Sequence, residues 1–351
     1  MTKSTSDRLS RRTFVAGTAA AGLSLPFVRR ASAQASGNVV VGTWGGDYGR
    51  LLRENVDPVA TAAGLNVVQD IGDSNSRMAK TAAQSRLPRG MVDVQCFDTV
   101  KAYSLYTSGA LETIDPSRMA NYDMIRPEVR SDFLLPQIIS PQVIIYDPSQ
   151  VDEVPTDLGA LLDPKYAGKV GAIVSNYYSF MMAGAIYRTG DPSDFEAGKE
   201  FIEEVNANGM RLYAETDEFA QAFTSKAIAI GVVWYARTVM WKRAGINGEA
   251  AWPKNGALLY VSGMAIPKNA PNLDAAYAYL DAVLAPQAQQ GFAEHMGYMP
   301  SITNAGLTGK LAEELDIPAD APPLLTPDLD KLARELPALG DWWKKSIESA
   351  G

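Results

Sequence analysis

The sequence predicts an α/β fold in two halves, and three observations predict it. From Asn38 onward short apolar runs alternate with amphipathic stretches. The alternation starts afresh near Lys169. At 351 residues the chain is also long enough for two cores, at roughly 100–200 residues per domain.

The elements follow in order. Val39, Val40 and Val41 read as a strand stopped by Gly42 and the Gly45-Gly46 pair. Residues 48–62 predict a helix ended by Gly64, and 65–68 a second strand. Asp73, Ser74, Asn75 and Ser76 offer caps for a helix over 77–85. Residues 92–96 form a third strand, after which Asp98 and Thr99 cap a helix to Tyr106. This βαβαβ order implies parallel strands whose C-terminal loops make a ligand crevice. After a break over 118–136, residues 143–146 are a strong strand ended by Asp147-Pro148. The second unit holds a strand over 170–174, a helix over 178–188, strands at 210–213 and 227–234, and an apolar segment over 258–266 closed by Pro267. The last amphipathic stretch covers 329–347, with Pro337 and Gly340 expected to interrupt it.

The first 33 residues read differently. Ser10-Arg11-Arg12-Thr13-Phe14 opens a leader with an apolar region over 14–28, broken by Gly17, Gly22 and Pro26, and an Ala31-Ser32-Ala33 cleavage site. That region falls short of the roughly 18 apolar residues a spanning helix needs. We read it as a twin-arginine-type signal peptide; an ordinary secretory leader holding two arginines is the alternative. Either leads to export, with cleavage near Ala33 and no leader cysteine for a lipid anchor.

Removing the leader's six basic residues and one acidic residue leaves 26 basic and 39 acidic side chains, a net charge near −13. Such a surface repels nucleic acid and anionic lipid. Cys96 is the only cysteine and His295 the only histidine, which excludes an intramolecular disulfide and makes a zinc site improbable. The sequence calls for no cofactor, and no nucleophile elbow or phosphate loop occurs in it. Two α/β halves in an exported, cofactor-poor chain point to a two-lobed receptor.

Six segments then occur in a telling order: Asp73-Ser74-Asn75-Ser76-Arg77-Met78, Leu111-Glu112-Thr113-Ile114-Asp115, Leu161-Leu162-Asp163-Pro164-Lys165-Tyr166-Ala167-Gly168, Trp252-Pro253-Lys254-Asn255-Gly256, Met264-Ala265-Ile266-Pro267 and Gly297-Tyr298-Met299-Pro300. The set resembles the spermidine/putrescine-type periplasmic substrate-binding proteins of ABC importers. That resemblance implies a type II periplasmic binding fold: two α/β lobes, a two-strand hinge and the ligand cleft between them. It places lobe 1 at 38–141 plus 262–305, lobe 2 at 142–261 plus 306–351, and the crossings near 138–144 and 260–264. It implies a receptor rather than an enzyme, monomeric and periplasmic, delivering a small molecule to an inner-membrane permease with its cytoplasmic ATPase. It implies no nucleic-acid partner and no membrane insertion.

The residues disagree with the family's usual ligand. Two acidic positions of the polyamine site fall on Ser175-Asn176 and on Ser262, and neither supplies a negative charge. Arg237, just after the strand carrying a cleft tryptophan, opposes a diamine and suits a carboxylate. The expected site therefore holds Trp44, Gly45, Gly46 and Tyr48 in the first strand–helix loop. Asn75 and Ser76, which cap or also touch ligand, and Asp98, which caps or binds an ammonium, add to it. Ser175, Asn176, Tyr178, Trp234, Arg237, Tyr260 and Ser262 complete it. A carboxylate or zwitterion is the expected ligand, with a polyamine as alternative. The paired Tyr177 and Tyr178 resemble ferric-binding proteins, a lesser reading, as is a secreted enzyme on the same fold.

Overall fold

The computed structural model describes residues 37–315, 317 and 321–350. The leader, its arginine pair and its cleavage site lie outside the described residues.

The first unit comprises β1 (Gly37–Thr43), α1 (Gly46–Leu51), α2 (Asp57–Ala62), β2 (Leu65–Ile71), α3 (Ser74–Gln84), β3 (Val94–Asp98) and α4 (Thr99–Thr107). A π-helical stretch over Leu52–Val56 joins α1 to α2, so the expected helix exists with one widened turn. β1 lies between β2 and β3 with both pairs parallel, as the βαβαβ order requires. α3 begins earlier than expected: Asp73 is its N-cap, accepting from the amides of Asn75 and Ser76. A carboxylate two residues before Asn75 takes the capping role more strongly than a neutral side chain.

After three short helical turns comes β4 (Leu135–Tyr146), a strand with every residue buried. Then follow β5 (Val170–Ile173), α5 (Tyr177–Thr189), α6 (Phe195–Ala207), β6 (Arg211–Tyr213), α7 (Thr216–Thr224), β7 (Ile230–Trp234), α8 (Tyr235–Arg243) and β8 (Glu249–Ala251). β5 pairs in parallel with β6 and β7. In this half the sheet has apolar cover on both faces, and β4 shows the period-2 logic. Val143 and Ile145 enter a cluster with Phe219, Phe223 and Trp241, while Ile144 and Tyr146 face Met181, Phe201 and Trp343.

The chain closes with β9 (Ala257–Ala265), α9 (Leu273–Val283), α10 (Pro286–Met296), β10 (Met299–Pro300), α11 (Gly309–Leu315), β11 (Leu324–Leu325) and α12 (Leu329–Ser346). α9 and α10 return to the first half, where Leu280 and Phe292 join Val41, Leu51 and Met264 in its core. The strand order is β2-β1-β3-β9-β4-β7-β5-β6. β4 pairs with β9 through Leu135–Pro141, then with β7 through Gln142–Tyr146. β4 and β9 thus run from one half into the other. The close approach requires Gly263, because a Cβ there would fall 1.8 Å from the Leu135 carbonyl oxygen.

α12 corrects the expected interruption: one helix runs through both Pro337 and Gly340. Leu332, Leu339 and Trp343 are fully buried in the second core, and their burial outweighs the one backbone hydrogen bond proline removes. Among the described residues no helix is long and apolar enough to cross a membrane, and no group of three His, Cys, Asp or Glu could hold a metal ion.

Candidate functional site

A cavity of about 290 Å³ opens where β9 passes between the halves. Asp98 and Thr99 enter it from the first unit, Tyr178 and Trp234 from the second, and Tyr260 from β9 itself. Thr326, Pro327 and Leu329, on the approach to α12, close one side. The walls are mainly aromatic and aliphatic with few polar groups, the usual character of a small-molecule pocket. Trp234 and Tyr260 pack in a tilted pair, 5.1 Å between ring centroids and 40° between their planes.

Burial pushes the Tyr178 and Tyr260 phenols up, with the nearby Asp98 charge adding in the same direction. Both act as neutral hydroxyls. The Asp98 carboxylate is already committed: Oδ1 accepts from the Lys101 amide at 3.0 Å, and Oδ2 pairs with Lys101 Nζ at 2.5 Å. It caps α4 and brings little net charge into the cavity.

The remaining candidates do not line this cavity. Trp44 and Tyr48 sit edge to face at 4.8 Å, Trp44 donates to Ser74 Oγ at 2.9 Å, and Tyr48 is buried with its hydroxyl donating to Gln137 at 2.5 Å. Gly45 precedes α1, and Gly46 begins it at φ +59°, a conformation that favours glycine. Asn75 and Ser76 are exposed in the first turn of α3, where Ser76 Oγ also donates to Asp73. Ser175 is exposed and donates to Glu215 at 3.1 Å, and Asn176 precedes α5 without a side-chain cap. Ser262 is fully buried and donates to the Phe97 carbonyl at 3.0 Å, so its hydroxyl is spent inside the sheet.

Arg237 lies in the first turn of α8, whose Ala236 amide donates to Ser140 Oγ on the crossing strand. The arginine is half-buried. Its Nη1 lies 3.7 Å from Met240 Sδ, and among the described residues no carboxylate pairs with it.

Sequence reasoning gave no role to three groups. Thr326, Pro327 and Leu329 come from a distant segment, and only the tertiary path brings them to the cavity. Glu128 and Arg130, in the irregular run before β4, also line it. Arg77 is 2% exposed on α3, whose buried face carries Arg77, Thr81 and Gln84. That spacing is a helical stripe, but made of polar residues, so hydropathy periodicity passes over it.

Residues 59–319 match the family model of the bacterial extracellular solute-binding proteins. The chain belongs to that family. The spermidine/putrescine-binding periplasmic protein of Salmonella typhimurium is 25% identical over 247 residues, covering 67% of this chain and 70% of its own. Among solved structures, an ABC transporter from Clostridium perfringens ATCC 13124 superposes with a TM-score of 0.76 at 20% identity, covering 88% of this chain and 99% of that one. The Atu4243-GABA receptor gives 0.75 at 19%, covering 88% and 97%. The fold is therefore the type II binding fold, and the crossing pair β4 and β9 is its hinge. By family the chain is an extracellular solute-binding protein, and its curated relatives are binding proteins rather than enzymes. The curated relatives are named as periplasmic binding proteins.

Proposed function

We propose that this solute-binding protein captures a small carboxylate-bearing or zwitterionic molecule by closing its two lobes. One observation carries the reading. Arg237, three residues beyond cavity residue Trp234 and outside the cavity lining, has no described carboxylate partner, whereas Asp98 is paired with Lys101. A guanidinium without a counter-ion recruits a carboxylate bidentately, while a polyamine needs free acids. The relatives do not decide the matter: one is named for spermidine and putrescine, one solved neighbour for GABA. A polyamine remains the second reading because Asp98 stands among Tyr178, Trp234 and Tyr260, a setting that suits an ammonium if Lys101 swings away.

The lobe limits given above belong to this proposal, with one adjustment. Leu315 of α11 buries in the first core, which supports assigning that segment to lobe 1. The proposal also includes twin-arginine export with cleavage near Ala33, resting on the leader sequence. A thermal-shift panel of 4-aminobutyrate, dicarboxylates, putrescine and spermidine tests the ligand class. At a hundred times its dissociation constant a true ligand adds about 2.7 kcal/mol of stability. Stabilisation by polyamines alone would sink the carboxylate reading.

A further inference from the structure

The cavity beside β9 keeps little polar capacity for a ligand, because most of its polar side chains are already bonded within the protein. Asp98 gives one carboxylate oxygen to the Lys101 amide and the other to Lys101 Nζ. Thr99 Oγ1 donates to the Val261 carbonyl at 3.1 Å, and Ser131 Oγ to the Leu134 carbonyl at 2.9 Å. Arg130 is turned to the carbonyls of Ile125 and Asp123, at 3.0 and 2.8 Å. Glu128 and Thr326 are exposed. The remaining wall consists of the rings of Tyr178, Trp234 and Tyr260 and of apolar side chains, Phe133, Met182 and Leu258 among them.

A short dicarboxylate or a polyol entering such a space loses its hydration and gains few bonds in return. Apolar surface gains from the same move. Size agrees with this preference. A dry cavity of about 150 Å³ accepts benzene, so the cavity of about 290 Å³ here takes a ring with several atoms more. Arg237, in the first turn of α8, stands outside the lining, which leaves the charged end of a ligand outside it as well. We propose that the cavity holds the apolar body of the ligand, a ring or a branched chain of similar size, so that the favoured solute is an amphipathic acid rather than a short or polyhydroxylated one. The acid end rests on the carboxylate reading above; the apolar body rests on the cavity alone.

Two pairs of acids isolate the ring, 4-aminobutyrate with 4-amino-3-phenylbutyrate and succinate with phenylsuccinate, because the members of each pair carry the same charges. In isothermal titration of the mature chain, the phenyl compound of at least one pair is expected to bind about 10- to 100-fold more tightly than its parent. Val100→Trp, which fills the cavity from the first turn of α4, is expected to bring that ratio close to one. Equal affinities within both pairs overturn the inference and leave the carboxylate reading standing. A wild-type ratio in folded Val100→Trp also overturns it, since the ring then lies elsewhere. If Val100→Trp does not fold, Leu329→Trp decides in the same way from the opposite wall. 3-Phenylpropylamine, a cation with the same ring, separates the two readings: tight binding of this amine with no response to any of the acids sinks the carboxylate reading and leaves the ring in the cavity. Binding by none of the five compounds overturns both.

Discussion

At Arg237 and Asp98 two charges at similar strand-to-helix junctions have opposite fates, and local geometry separates them. Asp98 immediately precedes a helix, where its side chain satisfies an orphan amide and a lysine three residues on completes the pair. Arg237 sits in the first turn of α8, with a methionine sulfur as its one described side-chain partner. Removing it leaves no buried partner unsatisfied. Arg237→Met therefore keeps the melting temperature within a degree or two, while affinity for a carboxylate ligand falls about ten- to a hundredfold, the worth of a charged hydrogen bond. Equilibrium titration beside a thermal melt checks both parts; a large drop in melting temperature would assign Arg237 to the scaffold instead. The residue types near this site were readable from the sequence, but their commitments were not. Ser262 looks like a lost ligand acid in one dimension, and in three its hydroxyl belongs to Phe97.

Elements were more legible where a single period dominates. The triple-valine strand and the parallel pairs around it follow from apolar runs between glycines. β4 was legible only in its second half, because residues 135–142 include two prolines and two glutamines yet stay in the sheet, 135–141 along β9 and Gln142 on β7. Gln137 stands at the irregularity in that pairing, where its side chain accepts from Tyr48. α12 shows the opposite failure, since helix-breaking residues lost to packing. Pro337 still costs its helix a hydrogen bond to the carbonyl of Ala333. Pro337→Ala restores that bond and is expected to stabilise the chain by about 1–3 kcal/mol, read as a rise of a few degrees in melting temperature. No rise would mean that the helix has already absorbed the proline by bending.

On the scale of the whole molecule, both halves and the hinge between them depend on phenols kept out of water. Tyr48 and Tyr279 are buried in the first core, Tyr178 packs against the second, and Tyr260 stands on crossing strand β9. Burial is the leading cause that holds all four phenols above their ordinary value of 10.0. In the unfolded chain they ionise near that value; in the folded chain they stay protonated. Unfolding above pH 10 therefore releases protons, so the stability these groups contribute is complete below about 10 and drains away above it. Each costs about 1.4 kcal/mol per pH unit in that window. Four acting together exhaust a typical reserve of about 5–15 kcal/mol within one to three pH units. Melts at pH 8, 9.5, 10.5 and 11.5 are expected to be flat at first and then to fall steeply. The phenolate absorbance of these four tyrosines should appear together with loss of the circular dichroism signal, because ionisation and unfolding are one event. Phenolate absorbance from the whole tyrosine complement while the dichroism stays native would mean that water reaches these rings through an open cleft. A bound ligand that closes the lobes would then delay it.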